Sequence, residues 1–296
     1  MDYTEACAFL SSYVDFEVQT PDVYAPERFS LARVRRLLSC LGDPHERYPS
    51  IHIAGTKGKG SVAAMVESIL HFAGHRTGLY TSPHLCDLRE RFQVGRSEIS
   101  QVDFATVINT LRPHIEEIGE ITFFEIATAL ALEWFARRQV TVAVLEVGLG
   151  GRLDATNVVN PSVCAITPIS FDHINLLGNT LEEIAAEKGG IIKSGVPVVC
   201  APQRAAALAV LEDTCDRHGA PFRLVGRDWR VVRRPVRPPN ETFAMWTSTE
   251  PHSWKEFSLP LLGAHQVENA AVAVAVIEEL QKQGWCVVEE AITRGL

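Results

Sequence analysis

The sequence has no C-x-x-C pair, no basic start, no apolar run of membrane-spanning length, no internal repeat and no low-complexity tract. Its seven cysteines (Cys7, Cys40, Cys86, Cys164, Cys200, Cys215 and Cys286) are odd in number and widely scattered. That pattern fits reduced, mostly buried thiols in the cytoplasm. The opening MDYTEACAFLSSYVDFE turns acidic at its second residue and lacks the basic start and apolar core of a secretion signal. The longest apolar run, 270–277, falls far short of the roughly 20 residues that span a bilayer, so the chain reads as soluble. Positive charge is also scarce: 28 basic residues stand against 36 acidic ones, a formal charge of −8. This balance argues against a general nucleic-acid or acidic-membrane surface.

What is present is enough apolar material for a substantial core. With 296 residues, 46% of them hydrophobic, the chain can bury one large core, or a core and a small accessory lobe. Leu31, Val34, Leu37, Leu38 and Leu41 recur at helical spacing, and two helices are expected before residue 45. From Ile51 the pattern changes to short β-rich runs alternating with helices: IHIA, SVAAMVESILHFAG, TGLYTS, then helices near 103–118 and 125–138. TVAVLEVG, SVCAITPI and VPVVCAP are further buried-strand candidates, and Thr180 with Glu183 three residues on marks a helix start. Such alternation predicts an α/β fold with a mainly parallel sheet covered on both faces. Residues 226–260 break the rhythm, with five arginines (Arg227, Arg230, Arg233, Arg234, Arg237) and five prolines among β-prone pieces. An exposed, solvated β-rich insertion is expected there. Helices over 266–283 and from 289 onward close the chain.

The chemistry concentrates first in Gly55-Thr56-Lys57-Gly58-Lys59-Gly60-Ser61, between the apolar run 51–54 and a well-patterned helix. Glycines let backbone N–H groups turn inward around phosphate oxygens, and the helix that follows presents its positive end. Lys59 would reach the β/γ-phosphates, with Ser61 close by. Gly60, between Lys59 and Ser61, departs from the common G-x-x-x-x-G-K-[ST] form. A glycine-rich turn with incidental lysines is the alternative. Two lysines and a serine at a strand-to-helix junction favour phosphate.

The loop A-G-T-K-G-K-G-S resembles that of folylpolyglutamate synthases and dihydrofolate synthases of the Mur ligase superfamily. Further segments match that family in order. They are Thr81-Ser82-Pro83-His84-Leu85 with Arg89-Glu90-Arg91-Phe92; Phe123-Phe124-Glu125-Ile126-Ala127-Thr128; 146–157 (EVGLGGRLDATN); Asp172-His173; 187–193 (EKGGIIK); and His265-Gln266 with Asn269-Ala270. The resemblance covers residue 30 to the end. It implies ATP-dependent phosphorylation of a folate or dihydropteroate carboxylate, followed by displacement of phosphate by the amine of L-glutamate. Such a transfer needs positioned cations more than covalent chemistry from the protein.

The resemblance also implies roles. Ser82, Glu146 and His173 match Mg²⁺ ligands, Lys188 matches a lysine carried as a carbamate, and Asn269 lies in the segment set against adenine. Alone, Ser82 reads equally as a turn serine, His173 as a structural histidine, and Lys188 as a solvated helix lysine paired with Glu187 or Glu183. Glu146 stands apart, because a carboxylate ending the apolar run VAVL is costly to bury without partners. Asp154 and Asn157 are expected to order the loop after Gly151. Arg91, Phe123 and Phe124 suit a flat, polar heterocycle and its carboxylate.

The resulting expectation is a helical lead-in over 1–45 and a Mur-ligase-type ATP-binding domain over 46–296 that carries the 226–260 insertion. The partner domain that family members use to close over ATP and bind glutamate is expected to be absent or supplied separately. Two alternatives are a chain that holds ATP or folate without turnover and another Mur-type amide ligase. Gly60 and the S-P-H-L segment favour the folate branch.

Overall fold

Capping residues set several element boundaries in the computed structural model, which describes residues 1–16, 30–234, 240–248 and 254–296. Helix α1 (Tyr3–Ser11) begins at Asp2, whose carboxylate accepts the Glu5 N–H while Glu5 reaches back to the Asp2 N–H. Ser30 caps α2 (Leu31–Cys40). Next come β1 (Ser50–Ala54), α3 (Lys59–Phe72), β2 (Thr77–Tyr80) and the short strands β3 (Phe92–Val94) and β4 (Ser97–Glu98). Helices α4 (Gln101–Ile118) and α5 (Phe123–Arg137), strands β5 (Val142–Glu146) and β6 (Val163–Ile166), and the single-turn α6 (Ile174–Leu177) follow. Thr180 and Glu183 form the expected capping box on α7 (Leu181–Gly189). The remaining elements are β7 (Val198–Cys200), α8 (Ala205–His218), β8 (Phe222–Leu224), β9 (Trp229–Arg233), β10 (Glu241–Thr247), β11 (Lys255–Leu259), α9 (Ala264–Lys282) and α10 (Glu289–Gly295).

Eight strands form one sheet in the order β4-β3-β2-β5-β1-β6-β7-β8. The run from β2 to β8 is parallel, and β3 and β4 add an antiparallel edge. Every residue of β1 and β5 is buried, which explains why these strands read as continuous apolar runs rather than alternating ones. Alternation along the pleat still sorts the side chains between two faces. Ile51, Ile53, Val142, Val144, Val163 and Ala165 pack with α3, α9 and α10. Ala143 and Leu145 join α1, α2, α4 and α5 on the other face, while Cys164, Ile166, Val198 and Cys200 join α7 and α8 there. Each fully buried aliphatic side chain contributes roughly 1.5–3 kcal/mol, so these faces dominate the stability of the fold.

The helical lead-in packs into the body of the fold: Ala6, Leu10, Val34, Leu37 and Leu38 are buried in the same cluster as α4 and α5. One expectation needs correction, because the β-rich insertion is solvated on one face only. It is a three-stranded antiparallel sheet, β11-β10-β9, whose Trp229, Phe243, Met245, Phe257 and Leu259 are buried in one cluster with α3 and α9. Its arginines conceal this, because Arg227 pairs with Glu212 and Arg233 with Glu241 along the rim. Arg237 lies outside the described residues.

Candidate functional site

Strands β5, β1 and β6 end side by side, since Ile53 is level with Glu146 and Ala54 with Ile166. The chain runs from β1 to β2 on one flank and later crosses from β5 to β6 on the other. Such a reversal of strand order leaves a crevice beyond the carboxyl ends of the strands. The glycine loop, Glu146 and the segment after β6 all fall there.

The first part of the loop is fastened down. The Thr56 and Lys57 N–H groups donate to Pro168 O at 3.1 and 3.4 Å, and the Thr56 hydroxyl donates to Ser170 O at 3.1 Å. Those two amides are therefore engaged within the fold. The first intrahelical bond of α3 runs from Val62 N to Gly58 O at 2.9 Å, so the N–H groups of Lys59, Gly60 and Ser61 have no intrahelical acceptor. They form the electropositive end of the helix. Gly58 turns the chain with φ +88°, and a Cβ there would run into the Asn269 amide, whose Cγ would be 3.0 Å away. Asn269 thus braces the loop from α9. At Gly60 a Cβ would stand 3.4 Å from Glu146 Oε2, which places the carboxylate against the first turn of α3.

Glu146 is 5% exposed, and its Oε2 accepts the Ser82 backbone N–H at 3.1 Å, so two of the three expected metal ligands meet. His173 lies in the loop after β6 rather than at the strand end, caps α6 with φ +42°, and is half exposed with Nε2 3.5 Å from Asp172 Oδ1. Lys188 is not a solvated lysine. It is 2% exposed, donates to Gly55 O at 2.9 Å and stands 3.7 Å from Asp172 Oδ2. Glu187 pairs with Arg152 instead, and Glu183 is occupied as a cap. Burial first, and then the Lys59 charge, pull the Lys188 pKa down to about 8 against the opposing pull of Asp172. The role of Asp172 as partner to this lysine was not visible in the sequence.

Beside this crevice lies a cavity of about 300 Å³, lined by Phe124, Arg33, Glu125, Asp154, Ser82 and His173 among others. Gly148 permits the Phe124 ring to pack on the backbone, since a Cβ there would be 2.5 Å from the ring. Arg33 and Glu125 form an ion pair at 3.0 Å; burial raises the Glu125 pKa, while Arg33 and Thr122 oppose the rise. Arg33 stands 92 residues from its partner, and no local pattern marks it. Arg91 and Phe123 do not line the cavity. Arg91 is 2% exposed, donates to His84 Nδ1 at 2.8 Å and stacks on Phe123, 5.3 Å from the ring centroid. Phe123 is instead buried in the core formed with α1, α2 and α4. Asn157 orders the loop as expected, donating to Arg152 O and Gly190 O.

The Mur ligase middle domain family matches residues 53–277. The chain is 33% identical over 303 residues to folylpolyglutamate synthase of Lacticaseibacillus casei, a match covering 100% of this chain and 68% of that protein. The chain belongs to the folylpolyglutamate synthase family of Mur ligases. It is also 39% identical over 273 residues to dihydrofolate synthase/folylpolyglutamate synthase of Bacillus subtilis (strain 168), covering 90% of this chain and 63% of that relative. A solved FPGS–AMPPCP–folate complex superposes with a TM-score of 0.91 at 32% identity, covering 100% of this chain and 71% of that one. The fold shared with that folylpolyglutamate synthase family structure extends over the whole of this chain. Among the described residues no helix is long and apolar enough to cross a membrane, and no group of three or more His, Cys, Asp or Glu side chains is gathered as a metal cage.

Proposed function

We propose that this chain supplies the nucleotide- and acceptor-binding part of an ATP- and Mg²⁺-dependent ligase that joins L-glutamate to a folate or dihydropteroate carboxylate. The observation that carries this reading is the contact between the first turn of α3 and the Glu146 carboxylate, next to a cavity walled by Phe124. A carboxylate oxygen of the acceptor attacks the γ-phosphorus, ADP leaves, and an acyl phosphate forms. The glutamate nitrogen then attacks the acyl carbon, and phosphate leaves with the bond electrons. The N–H groups of Lys59, Gly60 and Ser61, with the Lys59 ammonium, stabilise charge on the transferring phosphoryl group.

Mg²⁺ would neutralise phosphate charge, held by Glu146 and Ser82 with His173 as third ligand. The donor set suits it, because Mg²⁺ bound with a nucleotide takes one or two carboxylates and fills its shell with phosphate oxygens and water. A carbamate on Lys188 would add a second carboxylate-like group; the depressed pKa favours the neutral amine that captures CO₂. Phe124 offers its face to a flat heterocycle, and Arg33 stands at the same wall for a carboxylate.

Calorimetric titration of the chain with Mg²⁺–AMPPCP and then folate tests the reading. Both ligands should bind, and Lys59→Ala should weaken the nucleotide while the fold persists. Absence of nucleotide binding, or an affinity indifferent to Lys59, overturns it.

A further inference from the structure

The backbone ladder between β6 and β7 ends with the Ala201 N–H, which donates to Ile166 O at 2.8 Å. Beyond it stand Pro168 on one side and Pro202 on the other, and proline has no N–H to give. The segment after β6 is nevertheless held. Gln203 Nε2 donates to Thr167 O at 3.0 Å, and Gln203 Oε1 accepts the Ile169 N–H at 2.9 Å. A residue of a parallel strand lying opposite Pro168 would make the same two bonds, one to the carbonyl before it and one from the amide after it. The side-chain amide therefore stands in for one more peptide rung. Its orientation follows from its partners, since a carbonyl only accepts and a backbone N–H only donates. Nε2 also donates to Cys200 Sγ at 3.6 Å, which ties the amide back to the end of β7.

What this rung holds is the platform under the glycine loop. Pro168 O takes the N–H groups of Thr56 and Lys57, and Thr56 Oγ1 donates to Ser170 O while accepting the Ser170 N–H at 3.2 Å. On the β1 side the Thr167 N–H donates to Ala54 O at 2.8 Å, and the Thr167 hydroxyl reaches the same oxygen at 3.3 Å. Residues 167–170 are thus clamped between the loop and Gln203. The fit leaves no slack at Gly55, where a Cβ would overlap the Thr167 hydroxyl.

We propose that Gln203 is a positioning residue for the phosphate-binding loop: by fixing 167–169 it sets the Pro168 carbonyl that anchors Thr56 and Lys57, and with it the start of α3. This rests on the nucleotide-binding reading above. Gln203 lies outside the segments that carry the family resemblance, and no local pattern marks it. Thr167 and Ile169 are both buried, so without the amide their carbonyl and N–H lose their partner away from water. A buried polar group left unmet is costly, and the segment shifts to satisfy it. Contacts to a transferring phosphoryl group tolerate little displacement.

Gln203→Met keeps the length of the side chain and removes both bonds. Residue-resolved amide exchange should show Thr56, Lys57 and Ile169 exchanging about tenfold faster or more, while Val147, whose N–H donates to Ile53 O inside the sheet, is unchanged. Affinity for Mg²⁺–AMPPCP, measured by calorimetry, should fall about tenfold. In Gln203→Met/Thr56→Val the two losses of affinity should not add, because both lie on one route to the loop. Should Gln203→Met not fold, Gln203→Glu, which removes the donor to Thr167 O, carries the same expectation at Thr56 and Lys57. Unchanged exchange at those amides, a uniform rise that includes Val147, unchanged AMPPCP affinity or strictly additive losses overturns the positioning role alone. A wild-type chain that does not bind Mg²⁺–AMPPCP overturns the nucleotide reading and this inference with it.

Discussion

Gly58→Ala perturbs the glycine loop at one defined point. Gly58 sits at φ +88°, ψ 0°, where a residue with a Cβ costs about 1–2 kcal/mol more than glycine. The new methyl also lands on Asn269, with Cγ at 3.0 Å and Nδ2 at 3.2 Å and Oδ1 nearer still. Asn269 is buried on α9 and donates to Gln266 Oε1 at 3.0 Å, so moving it aside sacrifices a hydrogen bond worth about 1 kcal/mol. The expected total is about 2–3 kcal/mol of stability, together with weaker nucleotide binding as the first turn of α3 is displaced. Thermal unfolding and AMPPCP calorimetry measure the two effects. In the double variant Gly58→Ala/Asn269→Ala the steric part should vanish and only the backbone part remain, giving a coupling of about 1 kcal/mol. Strictly additive effects would refute the bracing of the loop by Asn269.

Four further outcomes are expected. Lys59→Ala should lower AMPPCP affinity by roughly tenfold to a hundredfold, the range for a lost charge-assisted bond, and calorimetry reads it directly. Glu146→Gln should weaken Mg²⁺-dependent nucleotide binding far more than Asp154→Asn; equal effects would refute the metal assignment. A crystallographic map should show atoms beyond Lys188 Nζ if CO₂ is captured there, and a bare ammonium donating to Gly55 O would end that idea. His52 adds an acid sensitivity. Its folded pKa, about 3, lies below the ordinary value of 6.5, so the unfolded chain binds the extra proton and stability falls as pH drops through 6.5. By pH 5 the loss should approach about 2 kcal/mol relative to pH 7, and His52→Gln should remove it in urea titrations at the two pH values.

The residues that act locally declare themselves in the sequence. Ser30, Thr180 and Glu183 mark helix starts because capping bonds span only three or four residues. Apolar runs of the right length between glycine turns announce parallel strands, and Gly55 to Ser61 announces an anion site because backbone N–H groups and a helix start are themselves local objects. Sequence order alone also makes Glu146 suspect, as a charge at the end of a buried run. Tertiary structure decided what each of these meets. Only the register of β5 with β1 brings Glu146 to Gly60, and only the packing of α7 under the loop turns Lys188 from a surface lysine into a buried amine. Arg33 finds Glu125 across 92 residues, and Phe124 rather than Phe123 reaches the cavity because helix phase is set by what the rest of α5 must bury. The rim arginines of 226–260 conceal a buried sheet for the same reason: burial belongs to the partner surface, here α3 and α9, and no window of sequence contains both sides of that contact.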